Sequence, residues 1–455
     1  MNIMLPNQYD FVPRFLRLAS INVFSNIMEP LAGAISLGFL GHLTQIDHLA
    51  GVSLSTTLFN FTYFMVSFLR MGTTGVTAQA VGRDDREEMF LVGMRNGLIA
   101  LSIGGLLLLL QYPLQQLWFA IMTATPEVKA SGIDYFNARI WGAPAVAINI
   151  VIIGWFLGRE MSGSVLLMSL LGNVANITFD YLFIIRWNWA STGAGLSQAV
   201  SQYLVLVLAI VLVSFRIEWN EVRNAAKKFW NVSAFKATFT LNGNIFVKSG
   251  TTMLVMTIFT ALSSAMGIEV LAENALLLQI MMISAYFFEG IGFATETLGG
   301  NFKGQEAIDR LLPLLQVTVG SGLLTGLIAA GVCNLFPQTV FGLLTNHSEV
   351  TDLLQVYVPW LLALLAFNSV FLILNGYFAG LALGEPLRNA SLSGALFGFA
   401  PLAIGAWHFH NNHILLLAMS ACWAIRVLVL GMQVPETLNN EPAVGIQLPD
   451  SPNIF

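Results

Sequence analysis

Long apolar stretches recur from one end of the chain to the other, separated by short polar turns. A helix of about 20 such residues crosses a hydrocarbon core of about 30 Å. The stretches are continuous rather than alternating, which excludes a membrane β-barrel. Backbone groups that must be satisfied within lipid then leave only helices. Twelve spans are predicted, at 15–40, 48–80, 90–112, 131–157, 163–185, 192–215, 238–265, 271–298, 310–335, 351–379, 385–407 and 413–435. One long polar interruption, RIEWNEVRNAAKKFWNVSAFK (216–236), divides them six and six. Its amphipathic spacing and paired lysines suit either a linker lying on a membrane surface or a solvated connector.

The two sets of six echo each other. HLAGVSL (48–54) resembles VLAENAL (270–276), 222 residues later. Each motif opens a long second helix that ends in a short polar turn, VGRDDREE (81–88) or NFKGQEAID (301–309). The expected fold is all-α and polytopic, with twelve transmembrane helices in two six-helix lobes related by pseudo-two-fold symmetry about the membrane normal. The expected divisions are an N-terminal lobe at 1–215, a cytoplasmic linker at 216–236, a C-terminal lobe at 237–436 and a disordered cytoplasmic tail at 437–455.

Composition agrees with this reading. The chain is 56% hydrophobic and only 10% charged, against about 25% charged in soluble domains. With the N-terminus inside, the inner segments carry Arg14, Arg17, Arg83, Arg86, Arg159, Arg216, Arg223, Lys227, Lys228, Lys236, Lys303, Arg310 and Arg388, and the outer ones only Lys129 and Arg186. That asymmetry places both termini in the cytoplasm. Cys333 and Cys422 lie in separate apolar segments and suggest no disulfide. The N-terminus lacks the pattern of a cleavable signal, so the first helix is read as its own insertion signal. A net charge of −5 says little about partners.

Polar residues within the spans carry the candidate chemistry. Asp180 lies within the apolar GNVANITFDYLFII (172–185), where an ionised group is costly unless it faces a cavity or a partner. Asn173, Asn176 and Asp180 fall at i, i+3 and i+7, on one helix face. They can offer oxygens to a cation, hold a protonated acid, or serve as structural polar glue. In the first span Asn22, Asn26 and Glu29 repeat the spacing, and Ser36 lies seven residues beyond Glu29. Pro30 is expected to break that helix locally. Arg70, Lys248 and Glu289 are coupling or cavity candidates, alternatively partners in helix-locking salt bridges. Asn375 joins them, as does Glu296, which is expected to be wet near the end of its helix. Arg426 is expected to snorkel or to neutralise an acid. His408, His410 and His413 read as a solvated loop, with no metal site expected. There is no GxxxxGK[ST] loop and no Ser-His-Asp or Cys-His set, so neither a nucleotide motor nor an enzyme is expected.

GFLGHL (38–43), FLRMGTTGVTAQAVG (68–82), IWGAPAVAINIVIIGWFLG (140–158) and NVANITFDYLF (173–183) resemble the multidrug and toxic compound extrusion (MATE) transporters, in their DinF-like branch. GIGFATETLGG and LNGYFAG (372–380) are weaker matches in the second half. The resemblance spans about residues 12 to 435. It implies two lobes in a V around a central cavity, and antiport of drugs or metabolites against protons or sodium ions. It also implies a cation site in the N-terminal lobe. That site's fifth-span Asn and Asp match Asn176 and Asp180. Its first-span Asp is replaced by Ser36 and its sixth-span Thr by Gln198. Glu29, two turns before Ser36, is a candidate replacement for the lost charge.

The leading expectation is a secondary antiporter exporting amphipathic or cationic organic compounds. Asp180 would bind the coupling ion, H⁺ or Na⁺, with Asn176, and Gln198 or Ser36 would complete the shell. Burial away from water favours a neutral carboxyl, which suits proton exchange. No cofactor is expected. The expected partners are a small-molecule substrate and the lipid bilayer, with no nucleic acid, and the chain is expected to be a monomer in a bacterial inner membrane. The alternatives are a lipid or polyprenyl-carrier flippase on a related two-lobe fold, or a non-transporting scaffold.

Overall fold

The computed structural model describes residues 7–41, 46–344 and 353–439, without the side chains of Asn7 and Glu29. Twelve helices in it are long and apolar enough to cross a membrane. We number them α1 (Val12–Gly41), α2 (Ile46–Gly82), α3 (Arg86–Leu109), α4 (Pro126–Gly158), α5 (Ser162–Arg186), α6 (Ala190–Ser214), α7 (Val232–Met266), α8 (Ile268–Gly304), α9 (Ile308–Leu335), α10 (Trp360–Gly380), α11 (Gly384–Phe409) and α12 (Asn412–Leu438). Among the described residues there is no β-strand.

The helix ends follow from local sequence. Asp85 caps α3 by accepting from Glu88 N at 2.9 Å. Thr125 caps α4, with Pro126 at the first helical position. Asn231 and Asn411 cap α7 and α12. Pro359 flanks the start of α10 at Trp360, and the predicted start of that span, 351, lies outside the described residues. The break expected at Pro30 is absent. Helix α1 continues through it, because the proline removes one donor without obliging the helix to stop. The tail from 440 onward lies outside the described residues.

Two compact units emerge. One comprises Phe24–Phe229, the other Met1–Val23 together with Trp230–Phe455. The start of α1, Val12–Val23, therefore groups with the second half of the chain. The stretch 216–229 belongs to the first unit, where a short helix, Trp219–Ala226, packs on α3. Arg86 pairs with Glu221 at 3.1 Å and Lys228 with Glu87 at 2.9 Å. The hydrogen bond to Glu87, and then its charge, raise the pKa of the Lys228 ammonium.

Each unit contains the same helix contact. In α4, Gly154 and Gly158 form a GxxxG pair, and a Cβ on either would lie 2.6 Å from Arg70 O or 2.7 Å from Thr74 O. In α10, Gly376 and Gly380 repeat it against Gly292 O and Glu296 O of α8, where a Cβ would come within 2.3 Å. Only glycine admits backbones this close. All four glycines and all four carbonyls match at the 222-residue shift seen in the sequence, a structural expression of the pseudo-symmetry.

Candidate functional site

Helix α5 presents Asn176 and Asp180 one turn apart on one face, both buried, with Asp180 1% exposed. Immediately after Asp180 the helix widens into a π-turn, Tyr181–Arg186, a local irregularity that often marks functional sites. Ser36 reaches the carboxylate from α1 and Ser197 from α6. Their hydroxyls donate to Asp180 Oδ2 and Oδ1, respectively. Asn176 ties the shell together. Its Oδ1 accepts from Ser36 Oγ at 3.2 Å and from Gln198 Nε2 at 3.1 Å, and its Nδ2 donates to Ser197 Oγ at 2.8 Å. All five residues belong to the Phe24–Phe229 unit. Among the described residues, no Lys or Arg forms an ion pair with Asp180.

The chemistry of this arrangement is limited and specific. One acid is held by two neutral hydroxyls and braced by two amides. It can exchange a proton, or offer carboxylate, hydroxyl and amide oxygens to a hard cation. Among the described residues, no group of three or more His, Cys, Asp or Glu side chains could hold a metal ion.

Four of the residues singled out from sequence thus meet: Asp180, Asn176, Ser36 and Gln198. A fifth, Ser197, was missed. Its only signal was its place beside Gln198 in TGAGLSQAV, since lone serines are common in membrane helices. Asn173 stands apart, donating to Ser169 Oγ at 3.4 Å. Asn26 is half-buried in α1, and the side chain of Glu29 lies outside the described residues. Arg70 is half-buried in α2. Lys248, Glu289, Glu296 and Asn375 belong to the other unit.

Two expectations are corrected. Glu296 is fully buried rather than wet, because α8 continues to Gly304, beyond the predicted end of the span at 298. Arg426 neither snorkels nor meets an acid. It is 0% exposed near the midpoint of α12, and no carboxylate pairs with it among the described residues. The second unit also lacks a counterpart of the acid site. Shifting the five residues by 222 gives Ile258, Gly398, Leu402, Met419 and Ser420.

Comparison with known proteins places these features in context. The MatE family model matches residues 22–182 and 245–404, one match in each half. The chain is 28% identical to the DNA damage-inducible protein F of Escherichia coli strain K12, covering 91% of this chain and 90% of that protein. It is 23% identical to a probable multidrug resistance protein NorM of Listeria innocua, covering 69% of this chain and 70% of that one. Its fold matches the outward-facing structure of a multidrug resistance MATE family transporter of the MOP superfamily. The TM-score is 0.84 at 17% identity, over 93% of this chain and 96% of that one.

Proposed function

The chain belongs to the MatE family of multidrug and toxic compound extrusion transporters, and from that premise we propose that it is a proton-coupled antiporter exporting amphipathic organic compounds. The observation that carries the proposal is the isolation of Asp180. A carboxylate 1% exposed, met by two serine hydroxyls and by no cation among the described residues, is a poor structural device. It is a good reversible acid, because loss of its charge also removes the cost of burying it.

The contacts favour a proton over Na⁺. The shell oxygens and amides already touch one another at 2.8–3.2 Å. A metal ion entering the shell would have to spread these groups apart, whereas a proton requires only that a hydroxyl turn from donor to acceptor. Replacement of a first-span acid by Ser36 leaves one charge in the shell among the described residues, enough for one proton per cycle. In this reading the two units alternate access to the two sides of the membrane. The protein works as a monomer in a bacterial inner membrane, with both termini cytoplasmic and no cofactor.

Exchange measured in proteoliposomes tests the proposal. Under an imposed proton gradient the wild type drives uptake or release of a fluorescent amphiphile, and Asp180→Asn inserts normally but loses that coupling. Full gradient-driven exchange in the mutant would remove Asp180 from the mechanism. Coupling to a sodium gradient alone would replace the proton with Na⁺.

A further inference from the structure

The second unit carries a buried charge of opposite sign. Arg426 Nη1 donates to Thr252 Oγ1 at 2.9 Å. The Trp423 and Phe371 rings cover the guanidinium, their centroids 4.6 and 5.3 Å from its carbon. The Cys422 thiol lies beside it, but a neutral thiol is a weak acceptor. Among the described residues, Nε and Nη2 are buried with no nitrogen or oxygen acceptor. These two nitrogens share one edge of the guanidinium, and their N–H bonds point the same way. That edge fits two oxygens of a carboxylate, phosphate or sulfate.

A structural role explains this poorly. A guanidinium in hydrocarbon with no anionic partner is costly even under two aromatic rings, and well-packed apolar residues would serve a core as well or better. In the first unit the position 222 residues earlier is Leu204. The neighbouring backbone is also unusual. Gly394 opens a π-turn in α11, Gly394–Phe399, and a Cβ there would lie 2.6 Å from Arg426 Cγ and 3.1 Å from Nε. Glycine at 394 lets the α11 backbone lie directly against the arginine stem, where any other residue would push into Nε.

We infer that Arg426 is the site for the oxyanion head of an exported amphiphile, gripped through Nε and Nη2, with the tail against the apolar surroundings. The inference rests on the export reading above and names a substrate class for it. The guanidinium is sealed in this conformation, so the head enters when α11 shifts over α12 at the π-turn.

The test measures binding to the full-length protein in phosphatidylcholine nanodiscs by tryptophan fluorescence, with Trp423 as the local reporter and Trp423→Phe to identify its signal. Decyl phosphate should bind saturably, and decyltrimethylammonium, with the same tail, more weakly by about tenfold or more. Arg426→Met should abolish the preference. Arg426→Lys, which keeps the charge but not the fork, should weaken it, and it stands in if the methionine variant fails to insert. Equal binding of the two heads, or a preference that survives in both variants, would overturn the inference. Tight binding of inorganic phosphate would remove the amphiphile from it. Displacement by phosphatidylglycerol would assign the site to a resident lipid and overturn the export assignment. No ion gradient is used, so a failed coupling role for Asp180 leaves this result readable.

Discussion

Glu160 and Ala382, 222 residues apart, share a left-handed backbone, with φ of 59° and 58°. Each follows the last turn of a corresponding helix, α4 or α10, and each closes it identically. Glu160 N donates to Leu157 O at 2.9 Å and Met161 N to Phe156 O at 2.8 Å. Ala382 N donates to Ala379 O and Leu383 N to Phe378 O, both at 2.9 Å. This is a Schellman cap made without glycine. Asp84 and Glu306, with φ of 56° and 58°, form a second pair at the same shift, and Asn188 and His410, with φ of 55° and 50°, a third. The repeat is thus retained in backbone turns whose side chains have diverged.

Replacing these cap residues with glycine should stabilise the protein. A left-handed conformation costs an L-residue about 1–2 kcal/mol, and the extra freedom of glycine in the unfolded chain offsets about 0.4–1 kcal/mol of that. Glu160→Gly and Ala382→Gly should each raise the thermal midpoint in detergent. A fall in both would show that the side chains make contacts worth more than the strain.

The paired glycines should be equally intolerant in both halves. Gly158→Val and Gly380→Val each place a side chain into a neighbouring backbone carbonyl. Overpacking of this kind costs about 1–3 kcal/mol or more. Monodisperse yield on size-exclusion chromatography should fall for both. Gly163→Ala, where a Cβ would meet nothing within 4 Å, should behave as wild type.

The two serines at Asp180 should act together. A hydrogen bond to a charged group contributes about 1.5–3 kcal/mol. Ser36→Ala and Ser197→Ala should each slow proton-driven exchange without loss of insertion, and the double variant should lose less than the sum, since both hydroxyls act on one carboxylate. Strict additivity in exchange rate would argue that they serve separate steps.

Arg95 gives a stability prediction distant from that chemistry. Its side chain is 3% exposed and pairs with Glu88 at 3.1 Å. Glu88→Ala leaves a buried guanidinium uncompensated, at a cost of about 3 kcal/mol, less if water reaches it. The thermal midpoint should fall clearly, whereas Lys228→Ala, breaking an exposed pair with Glu87, should lower it only slightly at neutral pH. The sign for Lys228 follows from its raised pKa. Its contribution is complete below the ordinary lysine range and fades only as pH rises through the folded value.

The helices and their repeat were legible because lipid imposes length and apolar continuity on every span. Asp180 was legible for the same reason, as a carboxylate conspicuous in an apolar run. The rest of the shell depended on neighbours. Ser197 resembles any membrane-helix serine until α6 is set against α5, and Gln198 was reached by motif rather than by pattern. Pro30 misled because a missing donor weakens a helix without necessarily ending it. Glu296 misled because apolar content marked the end of the span two turns before the helix itself ends. The isolation of Arg426 was beyond a one-dimensional reading, which shows a charge but not whether a partner faces it.

The segment leading up to Val23 groups with the second half of the chain, and its contacts reach far along the sequence. Asp10 pairs with Arg310 at 3.0 Å, 300 positions away, and Arg14 donates to Asn301 at 3.4 Å, 287 positions away. During synthesis these residues leave the ribosome before the Phe24–Phe229 unit, yet their neighbours in their own unit emerge only after all of it has been made. The leading segment must therefore wait in the bilayer or the insertion machinery. For these residues, order of manufacture and order of packing run in opposite directions.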